Sequence, residues 1–237
     1  MKTIIFCDGG KGGVGKSFVA IALADYLMRK AECIACIDAD PTNPDVVRLF
    51  QEQEDQGVYT ATYDLSETDD WMAFLESLES LPEDLSYIIV SLPAALNITP
   101  HLPTALGVFE ALGMHVMTFF MLNRQSDSIN LLGHSLKGGL LHSSAHKVAI
   151  LNGVFGREEQ FDRWQESTTR KQFTKSGGLI VYMPELYFKS VDLALVTHHR
   201  PFSQVKDLTI PLVYRAQITQ WLKAIDTTFD HLFEAKS

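Results

Sequence analysis

Residues 10–17 read Gly-Lys-Gly-Gly-Val-Gly-Lys-Ser: a glycine, four further residues, then Gly-Lys-Ser. This spacing is that of a loop that wraps a nucleotide triphosphate. Glycines let backbone N–H groups curl around phosphates, Lys16 can reach the terminal ones, and the Ser17 hydroxyl can bind Mg²⁺. Lys11 is needed for none of these tasks. A cation five residues before Lys16, on a loop already closed around phosphate, is placed to point away from its own nucleotide and toward a second subunit.

The flanks agree with the loop. Lys2 to Asp8 (KTIIFCD) is a short apolar run suited to a buried parallel strand. From Ser17 to Lys30, Val19, Ala20, Leu23, Leu27 and Met28 fall on one side of a helix. Strand, glycine loop and helix form the setting in which phosphate meets a helix N-terminus.

At this point the chain resembles the deviant Walker A ATPases of the ParA/MinD type, whose signature Lys-Gly-Gly-Val-Gly-Lys-Ser stands unbroken from Lys11 to Ser17. The resemblance implies an ATP switch with Mg²⁺, in which two subunits sandwich two ATP molecules and hydrolysis separates them. The signature lysine, here Lys11, then contacts the partner's nucleotide. On this reading nucleotide is held by Gly10, Lys11, Gly12, Gly13, Val14, Gly15, Lys16, Ser17 and Phe18.

Apolar runs alternate with helical patterns along the rest of the chain. Strands are expected at 2–8, 33–38, 57–63, 86–92, 115–122, 147–152 and 179–183. Helices are expected at 17–30, 44–53, 69–80, 99–113, 126–141, 158–174 and 213–235. The pattern predicts an α/β fold, a mainly parallel, doubly wound sheet of seven to eight strands with helices on both faces, and the resemblance implies the P-loop NTPase architecture of the SIMIBI class. With 237 residues and 46% hydrophobic content, residues 1–237 are expected to form one P-loop ATPase domain. No stretch has the length of a membrane span and no signal peptide is read. Three cysteines without an even framework point to the cytoplasm. Cys33 and Cys36, three apart on a strand, should face opposite ways and serve as core residues rather than as a redox or cluster pair.

The second strand ends in Asp38-Ala39-Asp40-Pro41-Thr42-Asn43-Pro44. Asp38 can hold a metal-bound water, and so join Ser17 at the metal, while Asp40 can orient the attacking water. The alternative is that one aspartate caps the helix near Pro44; Asp40 and Asn43 fit that role, Asp38 less readily. The fourth strand, Tyr87 to Pro93, departs from the family pattern. Ser91 stands where an aspartate would hold Mg²⁺ through water, which predicts weaker metal retention, slower turnover or none. Asn152, ending an apolar strand, can read adenine or simply end a strand in a turn. Pro184 leads a loop that resembles the lining of the base pocket. Asp127, His198 and His199 show no metal-ligand arrangement.

The formal net charge of −9 is unevenly placed: Leu49 to Asn123 holds twelve Asp and Glu and neither Lys nor Arg. This is a solvated acidic face, or a docking surface for a basic peptide. Arg157, Arg163, Arg170, Lys171 and Lys175 can form a DNA-facing strip, but four interleaved acids weaken that case. Gln217 to Glu234 is amphipathic, with Ile218, Trp221, Leu222, Ile225, Phe229, Leu232 and Phe233 on one face. Its polar face sets Lys223 against Asp226, Asp230 and Glu234, not the basic face that attraction to anionic lipid needs, so docking on the core is expected.

Past residue 95 the layout is similar to the TraL/StbB-like ATPases of conjugative and mobilisable plasmids. It shares Ala-Leu-Gly-Met-His at 111–115, a long helix after Phe155 and Met-Pro-Glu-Leu-Tyr at 183–187. The expected function is a slowly hydrolysing, nucleotide-dependent homodimer that positions plasmid DNA or a transfer complex. A small partner protein would stimulate it, and DNA would be met directly or through that partner. The alternatives are a non-hydrolysing ATP-binding scaffold and an ATP-dependent metabolic or metal-chaperone enzyme.

Overall fold

The computed structural model describes residues 2–187, 200–207 and 209–234; His198 and His199 lie outside them. Among these residues the strands are β1 (Thr3–Asp8), β2 (Ile34–Asp38), β3 (Val58–Thr62), β4 (Tyr87–Ser91), β5 (His115–Leu122), β6 (His146–Asn152) and β7 (Leu179–Met183). They form one seven-stranded sheet in the order β3-β2-β4-β1-β5-β6-β7. Every pairing is parallel. Each strand matches an expected apolar run, because strands covered on both faces need apolar side chains in both directions.

The helices are α1 (Lys16–Arg29), α2 (Asp45–Phe50), α3 (Thr68–Ser77), α4 (Leu102–Ala111), α5 (Ser126–Gly138), α6 (Leu140–Ser143), α7 (Asp162–Glu166), α8 (Thr168–Lys175) and α9 (Leu212–Glu234). On one face, Ile5 and Cys7 of β1 pack with α1, α2 and α9. On the other, Ile4 and Phe6 pack with α3 and α4, and Phe120 and Leu122 pack with α5, α7 and α8. Cys36 lies in the first core and Cys33 packs against the second, so the two thiols diverge.

Two helical expectations are corrected. The helix read over 158–174 is broken: Phe161 and Trp164 are buried, and Ser167 accepts a hydrogen bond from the Arg170 amide (3.0 Å), starting α8 as a fresh N-cap. The helix read over 44–53 stops at Phe50, and buried Gln53 then bonds to Gln56 and Gln204.

The docked reading of the last helix holds. Ile218, Trp221, Ile225, Phe229 and Leu232 are buried, and Leu222 and Phe233 pack against the same core. Its carboxylates reach back to α1: Asp230 accepts from Tyr26 (2.7 Å) and pairs with Lys30 (2.8 Å). Asp226 accepts from Arg29 (2.8 Å). Arg29 also binds Asp25 (2.9 Å), which is fully buried and receives the amide and hydroxyl of Ser203. No helix among the described residues is long and apolar enough to cross a membrane.

Candidate nucleotide site

The loops after β1, β2 and β4 meet at the carboxyl ends of the strands, where open parallel sheets bind ligands. The 9–15 loop leads from β1 into α1. Gly13 and Gly15 have φ of 73° and 98°, a region closed to most side chains. A Cβ on Gly15 would also collide with the Asn152 amide. Lys16 is buried at the first position of α1, and its ammonium donates to the Lys11 carbonyl (2.7 Å). Burial lowers its pKa, while Asp8 and Asp40 act to raise it. A buried cation resting on a loop carbonyl at a helix N-terminus fits a phosphate ligand.

The Lys11 side chain leaves the loop. Its ammonium meets Asp127, next to the N-terminus of α5, at 2.7 Å. Lys11 holds the Asp127 carboxyl below its ordinary range. Asp127 is the partner of Lys11, 116 residues away in sequence.

Ser91 is buried, and its hydroxyl lies 3.4 Å from the Ser17 hydroxyl. Asp38 is its register partner on β2. Asp38 is also the aspartate that satisfies α2, accepting from the Val47 amide at 2.8 Å. This corrects the sequence expectation: Asp40 instead turns back on Thr42 (3.0 Å to its amide), and Asn43 bonds to Asp45. Burial pushes the Asp38 pKa up to about 6, against the opposing pull of the Val47 and Val46 amides. Ser17, Ser91 and Asp38 thus line up as two hydroxyls and one carboxylate, a donor set that suits Mg²⁺ with retained waters.

Asn152 is buried under the loop, donating to the Val14 carbonyl (2.9 Å) and accepting from the Val154 amide (3.2 Å). Its amide is therefore a strut between β6 and the loop, with a second N–H and a second oxygen lone pair left over by these two bonds. The Pro184 carbonyl accepts from Trp221 (2.9 Å). Phe18 packs its ring on Phe202 and Trp221, at centroid distances of 5.6 and 5.5 Å, so only its backbone is offered to nucleotide. Among the described residues no group of three or more His, Cys, Asp or Glu is arranged to hold a metal.

One residue at the site was not singled out from the sequence. Asp8, the last residue of β1, accepts from the Gly9 and Gly10 amides at 2.6 and 3.2 Å. The available signal was an acid ending an otherwise apolar strand, directly before Gly9 and the glycine loop.

A parallel sheet with this loop between β1 and α1 defines a P-loop NTPase fold. Residues 1–94 match a family model described as ParA, NUBPL iron-transfer P-loop NTPase. The first 94 residues are therefore similar to ParA-type P-loop NTPases. It is 29% identical over 222 residues to protein MobD of Acidithiobacillus ferrooxidans, covering 93% of each chain. A segment of 34 residues, 14% of each chain, is 56% identical to protein TraL of Escherichia coli. Among solved structures, the septum site-determining protein MinD of Pyrococcus horikoshii OT3, complexed with Mg-ADP, aligns with a TM-score of 0.58. That alignment has 18% identity and covers 100% of this chain and 99% of that one, so the fold is MinD-like.

Proposed function

We propose that this chain is a single ATPase domain acting as a nucleotide-dependent dimerisation switch, with slow hydrolysis, that positions plasmid DNA or a transfer complex. The observation that carries the reading is Lys11. The loop is complete without its ammonium, which stands at the surface on an ion pair with Asp127. Exposed pairs of this kind exchange easily, so Lys11 is free to trade Asp127 for the phosphates of a second copy. Similarity to MobD over nearly the whole chain and to TraL in a short segment supports the plasmid-transfer branch.

In this reading Lys16 and the amides of Gly12 to Phe18 hold the phosphates of ATP. Ser17 and Asp38 face Mg²⁺, and Asp40 orients the attacking water. Asn152 and Pro184 border the base. When bound, Mg²⁺ would neutralise phosphate charge. Cytoplasmic placement and a small stimulating partner belong to the same proposal. A second reading, the ATP-binding scaffold without turnover, is favoured by Ser91, which supplies no charge beside Ser17.

The test is mass by light scattering with Mg²⁺ and ATP, then ADP, beside phosphate release. A dimer with ATP, a monomer with ADP and slow release support the switch. A mass independent of nucleotide with no release supports the scaffold. Lys16→Ala should abolish ATP binding, whereas Lys11→Ala should bind ATP and fail to dimerise; normal dimerisation of Lys11→Ala would refute the lysine argument.

A further inference from the structure

The residue that follows Ser17 and the loop that follows β7 meet on one side chain. Phe18, in the first turn of α1, packs on the Trp221 ring of α9 at a centroid distance of 5.5 Å. The Trp221 indole N–H donates to the Pro184 carbonyl at 2.9 Å. Phe202 meets the same indole edge to face, at 5.0 Å and an interplanar angle of 67°, and Trp221 is buried. An indole wedged between two rings in a close-packed core is held in one orientation, so its N–H fixes where the Pro184 carbonyl points.

The stretch after β7 needs such a fixture. On the β6 side it is pressed on Gly153, where a Cβ would stand 2.6 Å from the Met183 carbonyl and 2.7 Å from the Glu185 amide. On the α9 side its packing is incomplete: a cavity of about 290 Å³ lies between Pro184, Glu185 and Leu186 and the α9 residues Gln217, Gln220 and Ala224. Steric contact therefore limits the loop in one direction, and the indole hydrogen bond holds it in the other. We infer that Trp221 is a positioning residue for nucleotide: it ties the phosphate end of the site, through Phe18, to the base end, through Pro184, and sets the span between them. The inference rests on the reading in which Pro184 borders the base. A nucleotide must fit both ends at once, whereas bare pyrophosphate needs only the loop and Lys16.

The test is calorimetric binding of Mg-ADP and of magnesium pyrophosphate, a probe without a base, to the wild type, Trp221→Phe and Gly153→Ala. Trp221→Phe keeps a ring against Phe18 and Phe202 and removes the N–H. The Pro184 carbonyl then loses its donor, and the nucleotide must itself order the loop, which should weaken Mg-ADP binding about tenfold. Pyrophosphate should bind as it does to the wild type. Gly153→Ala pushes the same stretch from the β6 side and should show the same base-dependent loss, which supplies the readout if Trp221→Phe fails to fold. Equal weakening of both probes would mean that Trp221 only seats α9 on the core, and overturns the inference; so does unchanged Mg-ADP binding by Trp221→Phe. Either result leaves the nucleotide switch intact. A wild type that binds Mg-ADP no more tightly than pyrophosphate has no working base end, which overturns the placement of Pro184 and the inference with it.

Discussion

Asp38→Asn isolates the energetic cost of the carboxylate at the end of β2. The native Asp38 pKa is pushed up from an ordinary 3.8 to about 6. An acid with a raised native pKa is stabilising only while protonated, so its penalty grows as pH rises from 3.8 through 6 and is complete above that. A shift of this size corresponds to about 3 kcal/mol at pH 8 and roughly half of that at pH 5. The asparagine carbonyl can still accept the Val47 amide, but its own NH₂ needs a partner, which costs about 1 kcal/mol. The variant should therefore be more stable than the wild type by about 2 kcal/mol at pH 8, raising Tm by about 4–8 °C. At pH 5 the advantage should nearly vanish. Urea titrations at both pH values, without Mg²⁺ or nucleotide, provide the assay; bound ligand would stabilise the native state by mass action and mask the difference. A variant less stable than the wild type at pH 8, or a gap independent of pH, would refute the account of Asp38 as a strained anion. With Mg²⁺ and ATP the order should reverse, since the strained carboxylate is the proposed metal-facing group.

Three further outcomes follow from the geometry. Ser91→Asp places a second carboxylate opposite Asp38 in the parallel ladder; it should lower stability without metal and reduce the Mg²⁺ needed for half-maximal phosphate release, and an unchanged metal dependence would show that Asp38 or another ligand already suffices. Asp25→Ala strips a fully buried carboxylate from Arg29 and Ser203 and should cost about 3–5 kcal/mol, read as a lower urea midpoint at constant slope; an unshifted midpoint would mean that Asp226 alone satisfies Arg29. Gly15→Ala forces a side chain into the Asn152 amide at a φ of 98°, so nucleotide binding should be lost even if the fold survives, and retained binding would show that the strut is dispensable.

Local pattern made most of the fold legible. A parallel strand covered on both sides must be apolar throughout, which is why Tyr87–Ser91 and His115–Leu122 stand out as runs. The face of α9 was readable because helical spacing survives without knowledge of its partner. What could not be read were choices settled at long range. Whether Asp38 or Asp40 would serve α2 depends on how far the chain travels between Asp38 and Val47 and on its path. The Lys11–Asp127 pair joins residues that share no local pattern, and the engagement of Asn152 with Val14 spans 138 positions. Ser167 is different: an N-cap serine ahead of Thr-Thr-Arg-Lys was visible, and the apolar spacing across 158–174 concealed it.

The clasp between α1 and α9 sets an order of events during synthesis. The phosphate loop leaves the ribosome roughly 200 residues before the wall that covers its helix, from Ile218 to Leu232, is made. At about 5–20 residues per second, that leaves α1 for some tens of seconds with Tyr26 and Phe18 uncovered and Arg29 without Asp226. A nascent chain thus carries its phosphate-binding sequence well before the wall that packs on α1 has been made.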